Sequence, residues 1–154
     1  MTELFYLQDV LDGLTIEAGP RGLRSIHFGR RDGADAAGPT VRMAERQLRE
    51  YFAGERLAFD LALDLAGTSF QLAVWRALTA IPYGGTCSYR DIAMAVGRPK
   101  GFQAIGQANT RNPIPIVVPC HRVINADGSM GGYGGGVERK RVLLEMEKGY
   151  AGRR

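Results

Sequence analysis

The sequence predicts a mixed fold, an α/β half over residues 1–67 followed by a helical half over residues 68–154. Three observations point there. Short runs of strand-forming residues broken by turn residues fill the start of the chain. Apolar residues recur at helical spacing from Val41, and again after Thr68. The charge also changes sign: residues 1–67 hold 8 Lys/Arg and 11 Asp/Glu (net −3), whereas residues 68–154 hold 12 and 5 (net +7). A basic half beside an acidic one suggests a polyanionic partner for the former.

In the first half, Phe5–Leu7, Leu14–Ile16 and Leu23–Phe28 read as strands, and Gly19–Gly22 as the turn between the last two. A Gly/Ala/Asp-rich loop from Gly29 to Pro39 leads into a helix marked by Val41, Ala44, Leu48, Tyr51 and Phe52. Leu57, Phe59, Leu61, Leu63 and Leu65 then alternate with Ala58, Asp60, Ala62 and Asp64, a period-two pattern that predicts a strand. No catalytic cluster is visible here, and His27, alone, reads as structural.

The second half opens on Thr68 with Gln71 three residues on, a capping-box spacing. Phe70, Val74, Ala77, Leu78 and Ile81 form the apolar face of the helix that follows, which Pro82 ends. After the turn Tyr83–Thr86, Ser88 caps a helix to about Val96, Gly97 breaks it, and a second helix runs from about Pro99 to Asn109. Helix, glycine turn, helix in this length is the helix-turn-helix pattern of DNA-binding proteins. Gly101, Ala104, Gly106 and Ala108 make the second helix small-sided. Such a helix costs stability but fits a narrow minor groove; close helix–helix packing is the alternative. Gly131–Gly136 is a glycine loop, and Glu138–Lys148 a final helix with Val142, Leu143 and Met146 inward.

Chemistry centres on Cys120-His121. The apolar run from Ile116 reads as a strand that delivers both residues to a turn at Pro119. A buried thiol is ordinarily inert, but one with a base beside it can be a nucleophile. Other classes recede. No apolar stretch is long enough to cross a membrane, and the start of the chain has no basic-then-apolar leader, so the expected location is the cytoplasm. Cys87 and Cys120 are expected as free thiols, Cys87 being structural. A four-ligand Cys/His zinc site would use all four such residues, so no metal is expected. The glycine loop lacks the Lys-Ser/Thr ending of a phosphate-binding P-loop.

Residues 67–149 resemble the O6-alkylguanine-DNA alkyltransferases. The resemblance rests on Phe70-Gln71, Val74-Trp75, Ile81 to Gly84, Ser88-Tyr89, Asn112-Pro113, Pro119 to Val123, Gly132-Tyr133, Gly135-Gly136, and Leu143-Leu144 with Glu147. The Pro-Cys-His-Arg-Val run is the most specific of these. The resemblance implies an N-terminal α/β domain with an RNase-H-like sheet (1–67) and a helical domain with a helix-turn-helix (68–154). It further implies double-stranded DNA as partner, minor-groove binding, extrusion of the alkylated base, and a single irreversible transfer of its alkyl group to cysteine. No cofactor and no metal are implied, and a monomer is expected without DNA. Cys120 would be the nucleophile, His121 its base acting through a water, Glu147 the carboxylate behind the histidine, and Asn112 the bridge to the active-site turn. Tyr89 would crowd the target phosphate, Tyr133 wall the pocket, and the Gly134 amide donate to the alkylated oxygen. The carbonyls of Cys120 and Val123 would accept from the guanine amino group. Ala104 and Asn109 belong to the helix implied to meet DNA.

One departure stands out. Where the family usually carries an arginine that fills the space of the flipped base, this sequence has Gln103. Arg98, Lys100 and Arg111 are candidates to compensate, and Phe102 is a candidate apolar wedge. Weaker binding or slower flipping is expected from Gln103. Two other readings differ in class: a non-catalytic sensor of alkylated bases, whose known examples have the cysteine replaced, and a cysteine hydrolase, for which the sequence offers no separate support. The range of alkyl groups and repair of O4-alkylthymine stay open.

Overall fold

A computed structural model of the chain describes residues 2–8 and 11–153, the side chains of residues 35 and 36 excepted; Met1 and Arg154, the outer ends of the two expected domains, lie outside it. The protein is mixed α/β, with five α-helices among the described residues. It divides into two compact units, Met1–Ala66 with Pro113–Pro115, and Gly67–Asn112 with Ile116–Arg154. The three residues Pro113–Pro115 thus group with the first unit, where the sequence reading ran the second domain unbroken from residue 68.

In the first unit, β1 (Glu3–Leu7), β2 (Leu14–Gly19), β3 (Gly22–Phe28) and β4 (Asp35–Ala36) form an antiparallel sheet in the order β3-β2-β1-β4. Helix α1 (Pro39–Phe52) packs on the first three strands. Its stripe Val41, Ala44, Leu48 and Tyr51, at spacings of three and four, is buried together with Leu7, Leu14, Ile16, Leu23 and Ile26 of the sheet. Gly22 has φ +137, and a Cβ there would lie 2.5 Å from the Ala62 carbonyl oxygen. Only glycine fits that approach.

The predicted strand over residues 57–65 does not form. It is reduced to one parallel bridge between Leu23 and Leu63, with Leu23 N donating to Ala62 O (2.9 Å) and Asp64 N to Leu23 O (2.8 Å). A side chain takes the place of the neighbouring strand. Gln47, 3% exposed, donates through Nε2 to Asp60 O (3.0 Å) and accepts from Asp60 N at Oε1 (2.9 Å). Periodicity reported which residues alternate, but could not report that the backbone partner would be a glutamine from α1.

In the second unit, the predicted capping box at Thr68 is present, and the expected cap at Ser88 is a second one. Gln71 N donates to Thr68 Oγ1 (3.1 Å) and Thr68 N to Gln71 Oε1 (3.0 Å), opening α2 (Ser69–Thr79). Ser88 and Asp91 exchange the equivalent pair, each at 3.0 Å, where β5 (Cys87–Ser88) passes into α3 (Tyr89–Ala95). Helix α4 (Phe102–Thr110) begins later than expected, after Gly101, leaving Pro99 and Lys100 in the turn. Helices α2, α3 and α4 pack on one another, and Trp75 closes the group by donating to Ala108 O (2.9 Å). A 3₁₀ turn (Cys120–Arg122) leads into β6 (Val123–Ile124), which pairs parallel with β5 through Cys87↔Val123 and Ser88↔Ile124. Helix α5 (Val137–Ala151) completes the chain.

Two expectations need correction here. The apolar run before Cys120 is not a strand. Pro113, Pro115 and Pro119 lack N–H donors, and Ile116 adopts φ +76, so the chain turns. On α5 the buried positions are Lys140, Leu143 and Glu147, while Val142 is 37% exposed. The face had been phased on apolar residues, but two of its three buried positions carry charge.

Replacing the buried Gln47 by alanine removes both hydrogen bonds to the Asp60 backbone. The expected loss is about 1–3 kcal/mol of stability, read as a lower denaturant midpoint in urea unfolding.

Candidate active site

The site is built on a turn that its own residues impose. Pro119 sits at φ −80, ψ 65, and Cys120 N donates to Val118 O at 2.8 Å, the geometry of an inverse γ-turn. Proline suits its centre because the ring fixes φ near this value. Asn112 Nδ2 donates to the same Val118 oxygen at 2.7 Å, locking the turn from the end of the α4 connection. The turn points Cys120, 4% exposed, inward beside the Asn112 and Tyr133 side chains. Burial pushes the Cys120 thiol up to about 11, against the lowering influence of Asn112, its own backbone N–H, Lys140 and Tyr133. Tyr133 is raised by burial and by the negative charge a Cys120 thiolate would carry. Tyr89, half-buried, is raised for the same two reasons, offset in part by its hydrogen bond with Asn109.

Next to Cys120, His121 is completely buried, with Nε2 2.7 Å from Glu147 Oε2. Arg122 grips the same carboxylate twice, Nε to Oε1 at 2.8 Å and Nη2 to Oε2 at 2.9 Å, and donates through Nη1 to the Ile81 carbonyl at 2.7 Å. Burial alone would raise Glu147, yet the bonds from His121 and Arg122 outweigh it and bring the carboxyl to about 2. An ionised carboxylate only accepts, so the hydrogen of His121 sits on Nε2 and the lone pair on Nδ1. Nδ1 is buried and has no hydrogen-bond partner among the described residues. Burial also lowers the histidine pKa, more than Glu147 raises it, so the ring is neutral at pH 7. The arrangement is a neutral base held in one tautomer beside a thiol.

A groove of about 1080 Å³ lies between α3, α4 and the 125–132 segment. Tyr89, Phe102, Gln103 and Arg111, all expected as binding residues, line it, as do Gly106, Thr110 and Gly132. Phe102 is 48% exposed there. Arg98 and Lys100 do not line it, and the Arg98 guanidinium instead sits 5.2 Å over the Phe70 ring. Ala104 is exposed on α4 but is also outside the lining. Asn109 faces inward, 4% exposed, and donates to the Cys120 carbonyl at 3.3 Å. Gly134 approaches α4 closely, since a Cβ on it would meet Thr110 O at 3.1 Å.

Both carbonyls expected to face guanine are already engaged. Cys120 O accepts from Asn109 and from Val123 N, and Val123 O accepts from Lys140 Nζ at 2.6 Å. Residues 69–149 match the family described as 6-O-methylguanine DNA methyltransferase, DNA binding domain. This chain belongs to that family.

Among its relatives, the methylated-DNA--protein-cysteine methyltransferase of Mycobacterium tuberculosis is 59% identical over 105 residues, covering 68% of this chain and 64% of the relative. The constitutive enzyme of the same description from Bacillus subtilis is 54% identical over 111 residues, 71% of this chain and 67% of its own. The matched stretch therefore spans about two thirds of these methyltransferases. The crystal structure of Mycobacterium tuberculosis OGT in complex with DNA superimposes with a TM-score of 0.87 at 45% identity, covering 96% of this chain and 94% of that one.

Three residues at this site had no role in the sequence reading. Arg122 was noted only as part of a motif, Arg90 lines the groove, and Lys140 is fully buried. Lys140 was findable, because it precedes Leu143 and Glu147 by three and seven residues and so shares their helix face.

Glu147→Ala leaves the buried Arg122 guanidinium without its carboxylate, and about 3–5 kcal/mol of stability should be lost in thermal unfolding. The native chain should show a matching acid dependence. A carboxyl depressed from 4.5 to about 2 stabilises the fold fully above 4.5, and that stability drains as pH falls toward 2. Glu147→Gln should flatten this part of the stability–pH curve.

Proposed function

We propose that this protein repairs DNA by moving the alkyl group of O6-alkylguanine in a duplex onto Sγ of Cys120, once per molecule. The observation that carries the reading is a buried thiol beside a neutral histidine whose tautomer is set by an ionised glutamate, in a chain of this family. With the thiol near 11, only about one in ten thousand would be ionised at pH 7. Sulfur therefore has to lose its proton as it attacks, and His121 Nδ1 is the base, reached through a water. The sulfur pair forms the S–C bond, the C–O bond breaks with its pair onto the guanine oxygen, and the base takes up a proton to become guanine. A thioether does not hydrolyse, which makes the protein a stoichiometric reagent.

The target atom is out of reach within a stacked pair, so the base must be extruded. Helices α3 and α4 act as the helix-turn-helix, with Ala104 and Gly106 of α4 against the minor groove, while Ala108 is buried. Phe102, Gln103, Arg90 and Arg111 line the groove that faces the opened site. The DNA complex of the mycobacterial relative supports DNA as the partner. Residues 1–67 serve as the scaffold, and the strand order β3-β2-β1-β4 with α1 is in keeping with an RNase-H-like sheet. We take the protein to be cytoplasmic and monomeric without DNA; separately, no helix among the described residues is long and apolar enough to cross a membrane.

The deciding experiment is intact-protein mass spectrometry after incubation with a duplex containing O6-methylguanine. One added methyl group on Cys120, absent from Cys120→Ala, is expected. Tight binding to the damaged duplex with no mass gain would make the protein a sensor instead. Because burial holds His121 below 6.5, the acid limb of the transfer rate should lie below pH 6.5. A rate that halves at or above 6.5 would remove His121 from the role of base. Gln103→Arg should raise the flipping rate or duplex affinity by several-fold, measured by a fluorescent base analogue at the target position.

A further inference from the structure

We infer that Asn109 is the residue by which the acceptor site recognises guanine, its side-chain oxygen accepting a hydrogen bond from the exocyclic amino group of the extruded base. This rests on reading Cys120 as the acceptor. His121 Nδ1 and Asn109 Oδ1 are both buried acceptors without a hydrogen-bond partner among the described residues. Both belong to neighbours of Cys120, one next to it in sequence and the other bonded to its carbonyl. The histidine nitrogen has a use, as the base that takes the proton. The asparagine oxygen has none in the transfer chemistry. A buried acceptor left unpaired is costly, and it points to a donor that arrives with a ligand.

The orientation of the amide is fixed. Asn109 is 4% exposed, and the atom 3.3 Å from the Cys120 carbonyl oxygen must be Nδ2, because an oxygen there would face another acceptor. Oδ1 is therefore the end left for a ligand. On α4, Gly106 stands three residues earlier on the same side of the helix, and Thr110 follows directly; both line the groove. Asn109 thus lies between the groove and the turn that carries the sulfur. Chemistry names the donor. With its oxygen alkylated, guanine has no hydrogen on N1, so the amino group is the one N–H donor of the base. The Cys120 carbonyl has no lone pair left for it, since Asn109 Nδ2 and Val123 N use both, and Lys140 Nζ holds the Val123 carbonyl at 2.6 Å. An O4-alkylated thymine carries no N–H at all, so an acceptor at Asn109 selects alkylated guanine against it.

The test sets two duplexes against each other, one with O6-methylguanine and one with O6-methylhypoxanthine, the same base without the amino group, opposite cytosine in each. Single-turnover methyl transfer is followed by intact-protein mass for the native chain, Asn109→Leu and Asn109→Ala. Native protein should transfer from the guanine at least about tenfold faster, because the analogue leaves Oδ1 buried and unpaired. In both variants the ratio should fall close to one, whatever the lost bond to the Cys120 carbonyl does to their absolute rates. An asparagine that only props the turn would slow both substrates alike and keep the native ratio, which overturns the inference, as does a native ratio near one. Should neither variant fold, the crystal structure of Cys120→Ala with the O6-methylguanine duplex decides. The amino nitrogen is expected within about 3.2 Å of Asn109 Oδ1, and an amino group bonded elsewhere overturns the inference. Native protein that gains no methyl group from O6-methylguanine would sink the alkyl-transfer reading itself, and the same complex would still show whether Asn109 meets the amino group.

Discussion

A carboxylate almost without solvent around it organises the second unit. Glu147 accepts three side-chain bonds, two from Arg122 and one from His121, and Arg122 passes the connection on to the Ile81 carbonyl just beyond α2. Each partner has a different effect. Arg122 supplies permanent charge, which keeps Glu147 ionised against the cost of burial. Glu147, once ionised, can only accept, and so dictates which nitrogen of His121 carries hydrogen. Remove the guanidinium and the histidine tautomer is no longer determined. The reactive end of the site therefore depends on an arginine that the proposed chemistry never touches.

The turn at Pro119 adds the second constraint. A thiol raised to about 11 is a poor nucleophile at rest, which protects it from casual alkylation and oxidation. Activation must then come from atoms already in place. Asn112 holds the turn through Val118, Asn109 holds the Cys120 carbonyl, and Tyr133 reaches the thiol from the glycine loop. Desolvation and preorganisation oppose each other on the sulfur pKa but act together on the reaction. The same water exclusion that disfavours free thiolate strengthens every dipole aimed at it.

How much of this was legible in the sequence depends on which interactions are local. The capping box at Thr68/Gln71 spans three residues and was readable, as was the cap at Ser88, whose box Asp91 completes. Cys120 and His121 stood out by their adjacency in the sequence, and Asn112 by family resemblance alone. The strand readings failed for two different reasons. The period-two run at 57–65 met a glutamine side chain in place of a strand, and the run before Cys120 was bent by prolines and by Ile116 at φ +76. Alternation records which face a residue prefers, but not whether a ladder partner exists.

The misphased last helix is the most instructive of these. An amphipathic reading assumes that the inward face is the apolar face, which holds when burial is driven by transfer from water. On α5 the inward face is Lys140, Leu143 and Glu147, so two thirds of it is ionisable. Charge sits inside because each ion meets a dedicated partner: a guanidinium for the carboxylate, two carbonyls for the ammonium. Such a face is invisible to hydrophobic periodicity. Charged residues at i, i+3 or i+7 on an otherwise ordinary helix, following a nucleophile motif, are a better guide than the apolar residues between them. On that rule Lys140 and Glu147 select the face and Val142 falls outside it, which is the arrangement found.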